Sequence, residues 1–154
     1  MKVAIVSGSS EGPTKLNSFD NALIDAKIGD VNLIKVSSML EKGTEINILP
    51  KLKAGAMVNC VLATITSKKK GDLISSSLAI AIGDNLGCVV ENSAINKNPE
   101  DIKKEAEEMV KYMMEKRNEK INELVIEEIN HVVEDIATVV VALIYLNDDI
   151  IAKE

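Results

Sequence analysis

A series of short apolar segments, separated by turn residues, constrains the fold of this chain more than any other feature. Runs of this length between Gly, Pro, Asn and Asp residues are typical of β-strands. Periodicity alone leaves 73–82 open to helix or strand, and its place between turn signals favours a strand. The predicted strands cover residues 2–6, 31–36, 45–49, 55–66, 73–82, 86–91, 121–129 and 131–146.

Two segments have helical spacing instead. Residues 15–29, "KLNSFDNALIDAKIG", place an apolar stripe on one face, and Gly29 is the predicted end of the helix. Residues 98–120 begin with Asn98 as N-cap and Pro99 at the first helical position. The apolar faces are Leu16, Phe19, Leu23 and Ala26 in the first helix, and Ile102, Ala106, Met109, Val110 and Met113 in the second.

Many strands and few helices predict an α+β fold, a layered sandwich in which the helices cover the faces of the sheets. The Gly, Ser and Pro residues of 7–14, "SGSSEGPT", predict an irregular loop after the first strand. A length of 154 residues is typical of one domain, so residues 1–154 are expected to form a single unit.

Composition excludes several classes of function. A net charge of −6 and an aromatic content of 2% disfavour a nucleic-acid interface, which needs a basic face or stacking side chains. The longest apolar run, 136–146, is shorter than the ~20 residues that span a bilayer, and no signal peptide opens the chain. We therefore expect a soluble protein without a membrane partner.

The cysteines and the single histidine do not form a metal-binding motif. Cys60 and Cys88 lack the C-x-x-C spacing, and His131 has no ligand partner at a local spacing. Both cysteines are predicted to be small buried hydrophobic residues, and unpaired thiols fit a reducing cytoplasm. His131 is interpreted as a structural residue.

A pair of serines, Ser37-Ser38, follows the predicted strand 31–36. If the strand continues to Ser38, its period of two places Asn32 and Ser38 on one face. A serine hydroxyl can attack the carbonyl carbon of the preceding residue when hydrogen-bond donors stabilise the oxyanion. Elimination from the resulting ester would cut the chain and leave a pyruvoyl group. The alternative is an ordinary polar turn, because serine pairs also occur at 9–10 and within 75–77.

The sequence around Ser37-Ser38 distinguishes this pair from the other serine pairs. Residues 8–38, "GSSEGPTKLNSFDNALIDAKIGDVNLIKVSS", closely resemble the signature of the pyruvoyl-dependent arginine decarboxylases. The resemblance continues through "LPKL" at 49–52 and "GCVVE" at 87–91. It implies the four-layer αββα sandwich of the pyruvoyl-dependent arginine and histidine decarboxylases, assembled as trimers with sites between neighbouring subunits.

The resemblance also implies a reaction. The proenzyme would cleave itself between Ser37 and Ser38 into a β subunit of residues 1–37 and an α subunit of residues 38–154, with Asn32 assisting. A pyruvoyl group made from Ser38 would form a Schiff base with L-arginine, and Glu91 would protonate the carbanion left by CO2. The product would be agmatine, for polyamine biosynthesis, and neither metal nor pyridoxal phosphate would be needed.

For the substrate, the resemblance implies that Asp20 holds the guanidinium group. Residues that align with substrate-lining positions are Leu16, Leu23, Gly29, Val31 and Met39. The chain departs from the family pattern at 39–45, "MLEKGTE", where a proline-rich turn is common. Two alternatives remain: a pyruvoyl-dependent decarboxylase of another amino acid, and a non-processing paralogue that keeps the trimer as a binding or regulatory protein.

Overall fold

The computed structural model describes residues 1–153, which form two β-sheets, two α-helices and one 3-10 turn. In chain order the elements are β1 (Lys2–Glu11), α1 (Lys15–Asp25), β2 (Asn32–Lys35), β3 (Met39–Glu41), β4 (Glu45–Asn47), β5 (Met57–Ser67), β6 (Leu73–Ile82), β7 (Leu86–Ile95), α2 (Pro99–Lys116), β8 (Glu123–Val132), β9 (Ala137–Leu146) and the 3-10 turn Asp148–Ile150.

The strands form two sheets that pack face to face. Sheet A has the order β2-β5-β9-β1-β4, and sheet B has the order β3-β7-β6-β8. Helix α1 covers the outer face of sheet A, and α2 covers the outer face of sheet B. The layer order is therefore α-β-β-α, which confirms the predicted α+β fold and its four-layer sandwich.

Apolar clusters fill the spaces between these layers. Ala22 and Leu23 of α1 pack against Cys60 of sheet A. Between the sheets lie Val61, Leu78, Ile80, Val89, Val141 and Leu143. Beneath α2, the cluster consists of Ala79, Ala81, Cys88, Val90, Ala106, Val110 and Met114. Strand β9 is central in sheet A and is buried on both faces: Ala142 and Ile144 face α1, whereas Val141 and Leu143 face sheet B.

Strand β1 is longer than the sequence predicts, so the prediction of an irregular loop over 7–14 is wrong for residues 7–11. The strand pairs with β9 from Lys2 to Glu11. A Cβ atom added at Gly8 would lie 2.3 Å from the carbonyl oxygen of Ala22 in α1. The glycine therefore allows the close approach of the helix to the strand.

Both helices end before the predicted residues, and both end in a Schellman motif. In α1 the N–H of Ile28 donates to the Leu23 carbonyl at 2.9 Å, and Lys27 has a positive φ of 65°. In α2 the corresponding donor is Glu119, and Asn118 has the positive φ. Gly29 is therefore not the residue that ends the first helix.

Two residues assigned to the apolar faces are not in the core. Leu16 is 74% exposed and Met109 is 40% exposed. The buried face of α2 consists of Ile102, Ala106, Val110 and Met114, so the stripe turns by one residue toward Met114 at its end.

The remaining differences concern strand boundaries. Residues 39–41, expected in a loop, form β3, which pairs with β7. Strand β7 continues to Ile95. His131 lies inside β8 and not at the start of the last strand. It accepts or donates a hydrogen bond of 2.6 Å with Glu11, which ties β8 to the end of β1.

Candidate active site at the Ser37-Ser38 crossing

The serine pair lies where the chain passes from sheet A to sheet B. On its N-terminal side, the N–H of Val36 donates to the Cys60 carbonyl in sheet A at 3.0 Å. On its C-terminal side, the Ser38 carbonyl accepts the N–H of Val89 in sheet B at 2.9 Å. Strand β2 ends at Lys35 and does not continue to Ser38, so the shared face of Asn32 and Ser38, which depended on that continuation, is not formed.

The backbone makes a tight turn at this crossing. The N–H of Met39 donates to the carbonyl oxygen of Ser37 at 3.1 Å, a three-residue turn centred on Ser38. The hydroxyl of Tyr145, from β9, donates to the carbonyl oxygen of Met39 at 2.9 Å. The carbonyl of the Ser37-Ser38 peptide bond thus has a backbone N–H donor within the chain itself.

Ser38 and Glu91 line the same cavity, which has a volume of about 710 Å³ and lies between sheet B and α2. Glu91 is on β7 beyond Val90, so the register of β7 beside β3 brings it to the serine. The other lining residues are Val89, Val90, Glu105, Glu108, Met109, Tyr112 and Met113. The cavity therefore combines an apolar wall with several carboxylates.

The environment of Glu91 favours its protonated form. Burial raises the pKa of this carboxyl above its ordinary value, although the side chain still reaches solvent, and the positive charge of Lys35 partly offsets the rise. Burial also raises the pKa of the neighbouring Cys60 thiol to about 11. At neutral pH Cys60 is therefore a neutral thiol, in agreement with its predicted role as a buried hydrophobic residue. Cys88 is likewise buried and free.

Asn32 lies at the opposite end of β2 from the serine pair. Its side-chain amide donates to the Gly55 carbonyl at 3.1 Å, and its N–H donates to Ala56 at 2.8 Å. Since a strand advances by about 3.3 Å per residue, this amide does not reach the Ser37 carbonyl in the same chain. Asn32 instead attaches the start of the edge strand β2 to the loop before β5.

Apart from Met39, the residues aligned with substrate contacts lie away from the Ser38 cavity. Leu16 and Asp20 are exposed on α1, on the outer side of sheet A, whereas Leu23 is only 8% exposed beneath that helix. Gly29 and Val31 line a different depression of about 370 Å³. Met39 directly follows Ser38 and is partly exposed. One chain therefore unites Ser38, Met39 and Glu91 but does not bring Asp20 to them.

Sequence reasoning missed one wall of the cavity. Glu105, Glu108, Met109 and Tyr112 have the spacing i, i+3, i+4 and i+7, which places them along one side of α2. Glu105 accepts a hydrogen bond from Asn92 at 3.0 Å. The sequence signal for this wall is the row of acidic and aromatic residues beside Met109, at the border of the apolar face of α2.

No helix among residues 1–153 is long and apolar enough to cross a membrane. Within the same range, no three His, Cys, Asp or Glu side chains are grouped so that they could hold a metal ion.

Comparison with known proteins identifies the family to which this chain belongs. The family model of the pyruvoyl-dependent arginine decarboxylases (PvlArgDC) matches residues 2–150. The pyruvoyl-dependent arginine decarboxylase of Methanothermobacter thermautotrophicus is 57% identical over 147 residues, which is 96% of this chain and 97% of that protein.

More distant relatives with the same name extend the comparison. The protein of Methanocaldococcus jannaschii is 37% identical, covering 86% of this chain and 81% of that protein. The protein of Pyrococcus furiosus is 41% identical, covering 74% and 72%. The fold and the cavity define an αββα protein in which the chain passes from one sheet to the other at Ser37-Ser38, beside the carboxyl group of Glu91. The chain belongs to the pyruvoyl-dependent arginine decarboxylase family.

Proposed function

We propose that this chain is a self-processing decarboxylase that converts L-arginine to agmatine and CO2 with a covalent pyruvoyl group formed from Ser38. Membership of the family supports the reaction. The observation that carries the proposal for the site is the cavity shared by Ser38 and Glu91, directly at the crossing between the sheets. Two buried, free thiols, Cys60 and Cys88, support a reducing cytoplasm as the compartment.

Self-cleavage requires no co-reactant other than water. Ser38 Oγ bonds to the Ser37 carbonyl carbon, the C–N bond between the residues breaks, and the hydroxyl proton ends on the Ser38 nitrogen. Loss of the Ser38 α-proton and departure of the Ser37 carboxylate then cut the chain. Water displaces the nitrogen of the resulting dehydroalanine as ammonia, which leaves the pyruvoyl group. The hydrogen bond from Met39 to the Ser37 carbonyl supports the first step because it stabilises the developing oxyanion.

The residues around Ser38 fit a pyruvoyl group. The pyruvoyl group would retain the Ser38 carbonyl oxygen, which accepts a hydrogen bond from the Val89 N–H. This hydrogen bond would hold the new N-terminus of the α subunit in the cavity after cleavage. A pyruvoyl group supplies an electron-accepting carbonyl for decarboxylation of an amino acid. Glu91 lines the same cavity, and because burial raises its pKa, its carboxyl group is the candidate proton donor. In this proposal neither pyridoxal phosphate nor a metal ion takes part.

The substrate guanidinium would be held by Asp20 of a second copy. A carboxylate can accept two parallel N–H bonds from a planar guanidinium group. Leu16, Asp20 and Ile24 lie on one side of α1 at a spacing of four residues, and Leu16 and Ile24 are 74% and 55% exposed. This partly apolar face supports contact with a neighbouring subunit. We therefore infer a trimer of αβ protomers in which α1 of one protomer completes the Ser38 cavity of the next. By the resemblance, the residues proposed to line the bound arginine are Leu16, Leu23, Gly29, Val31 and Met39.

Intact mass and gel electrophoresis of the purified protein test self-processing. We expect two fragments, residues 1–37 and 38–154, and a carbonyl group on the larger one in place of an N-terminal amine. Ser38→Ala should stay intact. Ser10→Ala, in the serine pair at 9–10, should cleave normally and is the matched control.

Decarboxylation assays over a panel of amino acids then test the substrate. Arginine should give agmatine, and lysine and ornithine should react poorly because they lack the planar guanidinium group. A chain that stays intact and lacks a reactive carbonyl would contradict the enzyme and favour a binding or regulatory paralogue. Cleavage without a preference for arginine would retain the cofactor and change the substrate.

A further inference from the structure

Tyr145 connects the two sheets at the position where the chain crosses between them. It lies near the end of β9 in sheet A, and its ring packs against the apolar cluster between the sheets. Its hydroxyl donates to the carbonyl oxygen of Met39, the first residue of β3 in sheet B, at 2.9 Å. The mechanism described above gives this residue no role.

The polar groups of Met39 itself face away from the ladder of sheet B. β3 is the edge strand of sheet B. The residue before it, Ser38, accepts the hydrogen bond from the Val89 N–H through its carbonyl oxygen. In an antiparallel pair, successive residues point their polar groups alternately toward and away from the partner strand. Met39 therefore directs its N–H to the Ser37 carbonyl and its own carbonyl to Tyr145, as the two observed bonds require.

We propose that Tyr145 is a positioning residue for self-cleavage: its hydroxyl fixes Met39 so that the Met39 N–H stays on the carbonyl oxygen of Ser37. This inference rests on the proposed self-processing at Ser37-Ser38. The Ser37 oxygen gains negative charge when Ser38 Oγ adds to its carbonyl carbon, and a donor already in place stabilises that charge without reorganisation.

Tyr145 contributes a hydrogen bond and gives up no proton. Burial raises the pKa of the Tyr145 hydroxyl, and the nearby Cys60 adds to the rise. The phenol therefore remains a neutral donor throughout the pH range in which the protein would be processed. Asn32, by contrast, is bonded to Gly55 and does not supply this donor within the chain.

The test compares Tyr145→Phe with a matched control, Thr64→Val. Tyr145→Phe keeps the ring and its packing and removes only the hydroxyl. Thr64→Val also removes a partly buried hydroxyl bonded to a backbone carbonyl, that of Val139 at 3.0 Å, but within sheet A and away from the crossing. Each full-length precursor is made by cell-free translation, synthesis is stopped, and the uncleaved fraction is followed by gel and mass spectrometry.

We expect Tyr145→Phe to cleave about threefold to tenfold more slowly than the wild type, the range that loss of one neutral hydrogen bond predicts. Thr64→Val should cleave at the wild-type rate with a similar change in thermal midpoint. Hydroxylamine, which cuts the ester formed by Ser38 attack, should release less fragment from Tyr145→Phe early in the time course. This readout reports ester formation and not stability.

The outcomes separate this inference from the proposed function. Equal cleavage rates and equal hydroxylamine release for wild type and Tyr145→Phe would overturn the role of Tyr145 and leave self-processing intact. Slow cleavage in both variants would also overturn it, because the effect would then follow stability. A wild-type chain that never cleaves would instead contradict the proposed function on which the inference rests.

Discussion

A mixture of two impaired variants should regain activity if the site is shared between subunits. Asp20 is exposed on α1, outside sheet A, whereas Glu91 lines the cavity on the side of sheet B that faces α2. Since packed layers lie about 10 Å apart, the two carboxylates of one chain are separated by on the order of 20 Å. One arginine molecule cannot contact both unless they belong to different copies.

The size of each effect follows from the groups removed. Asp20→Asn keeps one acceptor oxygen and loses one charge-assisted hydrogen bond, worth about 1.5–3 kcal/mol, so it should lower kcat/KM by roughly 10-fold to 150-fold. Glu91→Gln removes the proton donor and should lower kcat by about 10²-fold to 10⁴-fold. Neither change touches Ser37 or Ser38, so both variants should still be cleaved.

After random exchange of equal amounts, a shared site has both native groups in about one quarter of cases, because each subunit supplies its group with a probability of one half. The processed variants are mixed, exchanged under mild denaturant, and assayed for agmatine, while native mass spectrometry verifies mixed oligomers. As a control, the double variant is exchanged with the wild type. A shared site again gives about one quarter of wild-type activity, whereas a site within one chain gives about one half.

Mixed oligomers without recovered activity would refute the shared site. The guanidinium would then have to be held within the chain, and Glu108 of the cavity wall would be the first carboxylate to replace.

Two further predictions concern the proton donor and the packing of α1. Turnover should fall as pH rises through the raised pKa of Glu91. Lys35→Gln should move this fall to higher pH, because the positive charge of Lys35 opposes the effect of burial on that pKa. Lys70→Gln, in a remote turn, is the control and should leave the pH profile of kcat unchanged. Gly8→Ala should lower the free energy of unfolding in urea by about 1–3 kcal/mol, since its Cβ would lie 2.3 Å from the Ala22 carbonyl oxygen; wild-type stability would contradict that close contact.

Local rules predicted those parts of the fold that local interactions determine. Asn98 caps α2 as expected, and its side chain accepts the N–H of Glu100 at 3.0 Å. The serine pair shows where such rules end. Strand periodicity placed Asn32 and Ser38 on one face, but the chain leaves sheet A after Val36 and continues in sheet B at Ser38. That change depends on pairing with distant strands, which a short segment does not encode. Gly8 contributed to the wrong prediction of a loop for a related reason. A glycine that lets a helix pack closely on a strand cannot be distinguished, in the sequence, from a glycine in a loop.

The apolar positions that did not enter the core carry more functional information than those that did. On α2 the sheet buries Ile102, Ala106, Val110 and Met114, and Met109 remains at the border, where it lines the Ser38 cavity. An apolar stripe wider than the surface that its own sheet can cover therefore marks a second contact.

Helix α1 shows the same excess. Leu16 and Ile24 lie beside Asp20, and no described layer of the chain covers either of them. The excess on α2 lines a cavity within the chain, whereas that on α1 is the surface that the proposed trimer would cover. A neighbouring copy that presents its Ser38 cavity to this face would cover Leu16 and Ile24. It would also bring the arginine bound in that cavity to Asp20. The exposed face of α1 is therefore the part of this fold that most directly connects assembly with the proposed substrate.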